Sequence, residues 1–365
     1  MQLDFFPSRT LTLYLAKLFA VRIAAMLFVL VLVLMMLDLL SSSGEILAVP
    51  GNGQGELLTY AGLRIPQLIS RFLPYSVLLA TLITLVTLNQ NSEVIAMKAA
   101  GLSAHQVLAP LLLTAGIVSL VTFAFNERVV TRATATLKAW EAVDFGPIPT
   151  DSRVRTNIYL TDNGNILTAA YLAGTGDAIA MRKVTWYQRN AEGMIVEQVQ
   201  ADTARYASPG WQLEGVTRFS VQNAVTERPA TMVVGEGLTP DQIDLAKIDP
   251  DTEPFWTLTE SIAEFERAGR RTSELRAKWW HKISGPLSAF LMPLLGAVAA
   301  FGLARSGQLF VRAVIGMALG FAYFVIDNAA LAMGSFGGYP PSLAAWAPFF
   351  LFLLIGETVL IRTEE

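Results

Sequence analysis

The chain has 365 residues, of which 53% are hydrophobic and 16% are charged, and its formal net charge is −3. A soluble protein of this size averages about 25% charged residues. The sequence contains no cysteine, which excludes disulfides, thiolate zinc sites and thiol catalysis. The shortage of charge is concentrated in long apolar runs, which is the pattern of a membrane protein.

Six runs are almost free of charge and long enough to form helices that cross a hydrocarbon core about 30 Å thick. Their number and length disfavour the alternative, which is buried core helices of a large soluble protein. The first run is also too long, and begins too late, to be a cleaved signal peptide. The predicted spans are Ile23–Leu40, Phe72–Leu88, Val107–Phe125, Ile283–Leu303, Ala313–Met333 and Leu343–Ile361.

Basic residues in short loops predict the orientation of the spans. Both termini and residues 89–106 are expected in the cytoplasm. Residues 127–282 are expected outside, because long domains are translocated largely regardless of charge. The predicted organisation is 1–126 with spans one to three, 127–256 with an external domain, and 257–365 with a run-in helix and three further spans. The basic residues behind this assignment are Arg9, Lys17, Arg22, Lys98, Arg305, Arg312 and Arg362.

Residues 151–235 form segments rich in β-branched and aromatic residues. Turn sequences such as Asp162-Asn163-Gly164 and Gly174-Thr175-Gly176-Asp177 separate these segments. We expect an antiparallel sandwich or open jelly roll of about 85 residues, without a catalytic arrangement.

The segment that follows the external domain reads as an amphipathic helix leading into the fourth span. Thr259 and Glu260 are predicted to cap its start, and Gly269 is predicted to form a turn. Trp279 and Trp280 lie where an interfacial aromatic belt is expected.

The short stretch "NQNSEVIAMKAAGLSAHQV", residues 89 to 107, separates the second and third spans. Asn91 suits a helix N-cap, and Glu93 is favoured in the first turn by the helix dipole. Gly101 suits the position just past a helix C-terminus. Ser103 and Gln106 have the spacing of a capping box that opens the next helix. The pattern predicts a short helix at about residues 91–101, followed by a sharp corner.

On this helix Val94, Met97 and Gly101 fall on one side, so a broad apolar face has to be covered at the membrane surface. One alternative is a helix that lies on lipid headgroups, although such helices usually carry more lysine and arginine than Lys98 alone. The other is a helix that docks in a groove of a cytoplasmic partner, with Val94 and Met97 as anchors and Glu93 meeting a cation. The residues alone leave both open.

The segment "SEVIAMKAAGLS" resembles the coupling helix of the LptF/LptG permease family, the membrane subunits of lipopolysaccharide-export ABC transporters. The segments "KISGPLSAFLMPLLG", "ARSG" and "PPSLAAWAPFFLF" resemble the second half of that family. The layout of that family is three spans, then a jelly-roll-like domain, then three further spans. The coupling segment and the closing region are more similar to the G-type subunit than to the F-type.

The resemblance implies a partner for each step of lipopolysaccharide export. The chain would pair with an LptF-like sister permease, and an LptB-like cytoplasmic ATPase dimer would bind ATP and Mg and dock on the coupling helices. An LptC-like single-span protein would begin the periplasmic bridge that receives the lipid. Glu93 would be the coupling-helix glutamate that faces a basic residue of the ATPase. The other members of the docking segment are Val94, Met97, Lys98 and Gly101.

The chain itself has no Gly-x-x-x-x-Gly-Lys-[Ser/Thr] loop, so it is not expected to hydrolyse ATP. We expect a non-catalytic subunit that has no cofactor of its own. Its histidines, His105 and His281, are predicted on opposite membrane faces, so no metal site is expected. A receptor or scaffold is disfavoured because no cytoplasmic signalling domain is recognisable.

Ionisable residues inside membrane spans are functional candidates by default. Here they are Asp38, Asp327 and Glu357. An alternative function is therefore an ion-driven secondary transporter of an amphiphilic lipid that uses Asp327 and Glu357. A relay would need several such groups facing one another, whereas a single Asp327 beside Asn328 more often pairs locally or faces a wet cavity.

Basic residues flank the predicted outer membrane surface, where a lipid with a phosphorylated headgroup would meet them. The alternatives are pairing with Glu127, Glu141 and Glu274, or contact with ordinary anionic lipid. Family members often carry lysines near the outer end of the first span, whereas this chain has Asp38 there. The candidate phosphate contacts are Arg128, Arg132, Lys138, Lys278 and Lys282.

Gly316 and Gly320 form a small-x-x-x-small pattern in the fifth span, which permits close helix contact. In the family the first and fifth spans form the subunit gates. The two glycines are therefore candidates for gate packing, with ordinary intramolecular packing as the alternative.

Overall fold

The computed structural model describes residues 6–147, 155–173, 180–190, 192–221, 223–238, 248–301 and 309–362. The predicted turn at residues 174–177, Arg305 and the last two residues of the fourth predicted span lie outside the described residues. The helices are α1 (Arg9–Ala48), α2 (Gln54–Gln90), α3 (Glu93–Ala99), α4 (Ala104–Phe125), α5 (Thr131–Ala142), α6 (Phe255–Arg267), α7 (Ser273–Phe301), α8 (Leu309–Ser335) and α9 (Pro341–Arg362). A π-helical turn, Asn126–Val130, joins α4 to α5.

The chain divides into two compact units. The helical unit comprises Met1–Leu39, Arg64–Thr131 and Pro254–Glu365. The β unit comprises Leu40–Leu63 and Arg132–Glu253. The sequence did not indicate that residues from the end of α1 and the start of α2 belong to the β unit.

Membrane-spanning helices satisfy their backbone hydrogen bonds internally, which is why long apolar runs fold as helices in lipid. Within the described part of the chain, five helical segments are long and apolar enough to cross a membrane: Arg9–Ala48, Gln54–Gln90, Ala104–Glu141, Val314–Ser335 and Pro341–Arg362. The fourth predicted span falls on α7, whose apolar part carries Pro286 and Pro293. Six spans therefore remain a prediction.

The helical unit has one apolar core, to which α1 to α4 and α7 to α9 all contribute. Several buried hydroxyls on these helices bond back to a carbonyl of the preceding turn. Thr81 donates to the carbonyl of Val77 at 2.8 Å, and Thr114 donates to that of Pro110 at 2.8 Å. This local pairing lets small polar residues lie in an apolar interior.

The β unit contains one antiparallel sheet of eight strands in the order β1-β2-β3-β4-β5-β8. The long strand β4 pairs with β3 along one edge and with both β5 and β6 along the other, while β7 pairs with β6. The strands are β1 (Arg155–Asp162), β2 (Asn165–Ala173), β3 (Ala180–Arg189), β4 (Ile195–Ala207), β5 (Gly210–Glu214), β6 (Thr217–Ser220), β7 (Val225–Glu227) and β8 (Thr231–Val234).

Alternating apolar residues from β1 to β5 form the core of the sheet, with Trp186 and Trp211 among the buried side chains. The β1–β2 turn forms at the predicted position, where Asn163 and Gly164 both have positive φ, 48° and 86°. Two positive φ angles match the twist of a two-residue hairpin, and asparagine and glycine adopt them most readily. The antiparallel sheet is confirmed, whereas the jelly-roll assignment stays a prediction.

The start of α6 differs from the sequence-based expectation. The helix begins at Phe255, four residues before Thr259, and its N-cap Pro254 provides no side-chain cap. The Glu127 carboxylate accepts a hydrogen bond from the Phe255 backbone N–H instead. This capping group is distant in sequence, so a local motif could not reveal it. The predicted turn at Gly269 is present, with φ of +68°.

Candidate functional site

The short helix α3 lies between α2 and α4, as predicted, and its C-terminal cap follows the sequence pattern. Gly101 has φ of +87°. The N–H groups of Leu102 and Gly101 bond to the carbonyls of Met97 and Lys98 at 3.1 and 3.0 Å, which is the Schellman arrangement. Ser103 and Gln106 form the predicted reciprocal capping box at the start of α4. These two caps fix the corner after α3.

The N-terminus of α3 corrects one prediction. The N-cap is Ser92, which has φ of 58° and makes no side-chain cap hydrogen bond. Asn91 is not the cap. Its side-chain amide instead donates to Glu93 Oε1 at 3.4 Å. The positive φ at Ser92 turns the chain sharply between α2 and α3.

The apolar face of α3 packs into the core of its own helical unit. Val94 and Met97 are 4% and 8% exposed and belong to that core. The expectation that they anchor α3 in a groove of a partner is therefore wrong, because their side chains are already covered within the chain. Ile95, by contrast, is 66% exposed. The surface that α3 offers to another molecule includes Ile95, Lys98 and the partly exposed Glu93, beside the exposed Ala96 and Ala99.

Glu93 has a contact that the sequence did not indicate. The Tyr14 hydroxyl, on α1, donates a hydrogen bond to Glu93 Oε2 at 3.2 Å. Tyr14 is 46% exposed. The two residues are far apart in the sequence, and no local motif links them. This bond connects the candidate coupling helix with α1, the helix that contains the first predicted span.

The acidic residue near the end of the first predicted span is held by an arginine. The Arg64 Nε and Nη2 atoms donate to the two carboxylate oxygens of Asp38 at 3.1 and 3.0 Å. The remaining Arg64 nitrogen, Nη1, donates to Gln67 Oε1 at 2.8 Å. This fork geometry joins α1 to α2 and occupies both oxygens of Asp38.

The two remaining intramembrane acids each face a histidine. His281 Nε2 on α7 lies 3.0 Å from Asp327 Oδ2 on α8, and Asp327 is only 6% exposed. His105 Nε2 on α4 lies 3.3 Å from Glu357 Oε2 on α9. Asp327 therefore has a local partner, which was one of the alternatives that the sequence left open. Sequence spacing could not reveal these partners, because each pair joins helices that are distant in the chain.

The two histidine–acid pairs lie at opposite ends of the helical unit. His281 is next to Lys282, whose Nζ is 3.6 Å from Glu127 Oε1 just past the end of α4. His105 lies at the other end of α4, which is on the order of 30 Å away at 1.5 Å per residue. Asp327 and Glu357 are consequently not neighbours. Within the described residues, no group of three or more His, Asp or Glu side chains could hold a metal ion.

Apart from Lys278, the candidate phosphate contacts fall into two groups, two lysines that are paired with acids and two exposed arginines. Lys282 and Glu127 are an ion pair whose side chains are 15% and 14% exposed, and Lys138 pairs with Asp249. Pairing with Glu127 was one of the sequence-based alternatives, whereas Asp249 was not anticipated. Arg128 and Arg132 are exposed, and neither forms an ion pair with the residues that the structure describes. Lys278 is half-buried near the start of α7.

Arg128 lies in the π-helical turn that the sequence did not predict. Such turns inside helices occur frequently at functional sites. The turn also contains Asn126, whose buried Oδ1 has no hydrogen-bond partner among the described residues. The π-helical geometry changes the direction in which Arg128 projects relative to a regular helix.

The two glycines of the fifth predicted span are buried. A Cβ at Gly320 would lie 2.1 Å from Leu78 Cδ2, so α8 approaches α2 closely at this point. This contact is within the chain. It matches the alternative of ordinary packing for Gly320.

These features define a multi-pass membrane protein with a separate antiparallel β unit and a short capped helix between two of its long helices. The chain belongs to the family described as lipopolysaccharide export system permease LptF/LptG, which it matches over residues 13–362. The resemblance seen in the sequence is thereby confirmed.

Named relatives of the chain are G-type members of this family. The lipopolysaccharide export system permease protein LptG of Escherichia coli (strain K12) is 26% identical over 310 residues, which cover 83% of this chain and 84% of the relative. The LptG protein of Haemophilus influenzae (strain Rd) is 23% identical over 316 residues, covering 85% and 87%. The similarity extends over both units of the chain.

Proposed function

We propose that the chain is the G-type permease subunit of a lipopolysaccharide exporter in a bacterial inner membrane. It would extract the lipid from the membrane and pass it to a periplasmic bridge, driven by ATP hydrolysis in a separate subunit. The observation that carries this proposal is the family match over residues 13–362, together with relatives named LptG that align over more than four-fifths of their length. Both termini would be cytoplasmic and the β unit periplasmic.

The proposed point of energy input is α3. Its buried face joins the core of the helical unit through Val94 and Met97, while Glu93, Ile95 and Lys98 face outward. An ATPase that binds the outward face would act on a helix that cannot slide independently of the core, because close-packed interiors transmit displacement. The Glu93 carboxylate would meet a cation of the ATPase. Gly101 would hold the corner through which α3 is fixed to α4.

The lipid phosphates are proposed to meet Arg128 and Arg132 first. Arginine binds phosphate through paired N–H donors, and these two side chains are exposed without an intramolecular acid among the described residues. Lys138 and Lys282 already hold acidic partners, so a phosphate would have to compete with Asp249 and Glu127. Lys278 remains a candidate contact as well.

The proposed complex contains an LptF-like sister subunit, an LptB-like ATPase dimer that carries ATP and Mg, and an LptC-like bridge protein. A gate between subunits would use α1 and α8, the helices of the first and fifth predicted spans. Gly316 and Gly320 remain candidates for packing at that gate, although the space beside Gly320 is already filled by Leu78 of the same chain.

The ion-driven alternative is not favoured by the family. The geometry does not support ion transport either, because Asp327 and Glu357 lie at opposite ends of the helical unit. Each of them contacts its own histidine, His281 and His105 respectively. A relay would require ionisable groups that face one another.

Co-purification tests the proposed function. The tagged full chain is extracted from its own membranes in mild detergent, and the bound proteins are identified for the wild type, Glu93→Ala and the control Glu192→Ala. Glu192 is an exposed acid in the β3–β4 turn. We expect a P-loop ATPase with the wild type and the control, and its depletion with Glu93→Ala. Absence of an ATPase from all three preparations would overturn the proposal.

A further inference from the structure

The contact between Tyr14 and Glu93 has a role that family membership does not assign. Among the hydrogen bonds of the described residues, it is the direct side-chain link between α1 and α3. The acceptor is the Glu93 carboxylate, which in the proposed function binds a cation of the ATPase. The inference drawn from it rests on that proposed function.

The helix α1 enters the core of the helical unit near its N-terminal end. Leu15, Phe19 and Ile23 are buried in the same core that holds Val94 and Met97. Beyond this part, α1 is largely uncovered by the rest of the chain, and only 11% of its most apolar stretch is buried.

Among the described residues, α1 makes few side-chain hydrogen bonds to other elements, and one of them joins Ser42 to Tyr60 of α2. Arg22 donates to the backbone carbonyl of Ile83 at 3.2 Å, and Asp38 binds Arg64. Both of these contacts lead to α2. The Tyr14 hydroxyl leads to α3, which is the element that a docked ATPase would displace. Tyr14 is therefore placed to pass a movement of α3 to α1.

The chemistry of the phenol suits this position. A carboxylate has about four lone-pair sites, and a hydroxyl donor occupies one of them without adding charge. Glu93 thus keeps its negative charge and free acceptor sites for a cation of the ATPase. A lysine at position 14 would hold the carboxylate equally well but would neutralise it.

We propose that Tyr14 is a positioning residue that ties the Glu93 carboxylate to α1 and thereby couples α3 to α1 during export. Loss of the hydroxyl leaves the aromatic ring and the core contacts of α1 unchanged. ATPase binding and ATP hydrolysis continue in Tyr14→Phe, while lipid release per ATP falls. The expected fall is roughly fivefold, the lower end of the usual coupling between two sites.

The structural part of this proposal is tested by a distance measurement that needs no ATPase. The chain has no cysteine, so spin labels attach only where cysteines are introduced. Leu13→Cys and Ile95→Cys place one label on α1 and one on α3, at side chains that are 60% and 66% exposed. In the full chain in detergent, we expect a narrow distance distribution that broadens in Tyr14→Phe. Tyr339→Phe removes a hydroxyl bond to the Ala330 carbonyl elsewhere and is the matched control.

The functional part uses the complete complex in proteoliposomes, with lipopolysaccharide release and ATP hydrolysis measured for wild type, Tyr14→Phe, Tyr14→Lys and Tyr339→Phe. Tyr14→Phe is expected to hydrolyse ATP with poor release, whereas Tyr14→Lys is expected to lose ATPase binding. An unchanged distance distribution, or normal release per ATP in Tyr14→Phe, would contradict the inference and leave the proposed function standing. If the wild type binds no ATPase, both the proposed function and the coupling role are wrong. The distances between the two spin labels would then show only whether Tyr14 tethers α3 to α1.

Discussion

His281 Nε2 lies 3.0 Å from Asp327 Oδ2, and this contact joins the start of the apolar part of α7 to α8. The carboxylate is almost fully buried, and its partner approaches from a helix 46 residues away in sequence. A buried acid with a dedicated partner is accounted for by helix packing. It does not require a role in ion movement.

The first prediction concerns Asp327→Asn. The amide keeps a hydrogen bond to His281 but replaces the charged carboxylate acceptor, so we expect a lower thermal midpoint of the purified chain, corresponding to a loss of about 1–2 kcal/mol in the free energy of unfolding. Lipopolysaccharide release per ATP should be unchanged. Both quantities are measured on the same preparation, one by thermal unfolding in detergent and the other in proteoliposomes. Loss of release without loss of ATP hydrolysis would favour the ion-driven alternative.

The second prediction separates free from paired basic residues. Arg128→Ala should weaken lipopolysaccharide binding by about tenfold, as expected for loss of one charge-assisted contact. Lys282→Ala should instead lower the thermal midpoint, because it leaves the buried Glu127 without its cation. Binding is measured with labelled lipopolysaccharide in detergent. Arg228→Ala, an exposed arginine in the β unit, should bind as the wild type does, and equal losses in all three variants would refute the assignment.

The third prediction tests helix packing at Gly334. A Cβ there would lie 2.3 Å from the Cβ of Ala344, which is fixed to the α9 backbone and cannot move aside. Gly334→Ala should therefore destabilise the α8–α9 contact by about 1–3 kcal/mol. Gly44→Ala is the matched control, because that helical position has no atom within 4 Å of the added methyl. The thermal midpoint should fall in the first variant and stay level or rise in the second.

The fourth prediction concerns the β unit, where Arg218 binds both oxygens of Glu197 at 2.7 and 2.6 Å. The Glu197 side chain hydrogen-bonds the guanidinium and raises the pKa of Arg218 above its usual range, so the arginine stays charged. Arg218→Ala leaves a nearly buried carboxylate on β4 without its donors, at a cost of about 2 kcal/mol. Hydrogen exchange at β6 and β7 should accelerate more than at β2. Uniform exchange rates across the sheet would contradict the local role of this pair.

Local sequence rules predicted the parts of α3 that depend on neighbouring residues. The Gly101 turn and the Ser103–Gln106 capping box formed as expected, because each needs only a few adjacent residues. Asn91 failed as the N-cap because Ser92 adopts a left-handed conformation that moves the helix start. Periodicity identified the apolar face of α3 but not the surface that covers it.

The contacts that organise the candidate site are distant in the chain and carry no sequence pattern. Glu93 meets Tyr14 across 79 residues, and His105 meets Glu357 across 252. Such pairings follow from how the helices assemble, which charge and hydropathy patterns do not specify. The pattern of the short helix and the family resemblance both indicated Glu93, but neither indicated that Tyr14 is its partner.

ATP-dependent release of lipopolysaccharide from proteoliposomes tests the central claim most directly. The chain is reconstituted with its co-purified partners and labelled lipopolysaccharide, and transfer to a soluble acceptor is followed after ATP is added. We predict release that requires ATP, persists when ion gradients are abolished, and is lost in Glu93→Ala. Release that continues without ATP and stops when ion gradients are abolished would contradict the account.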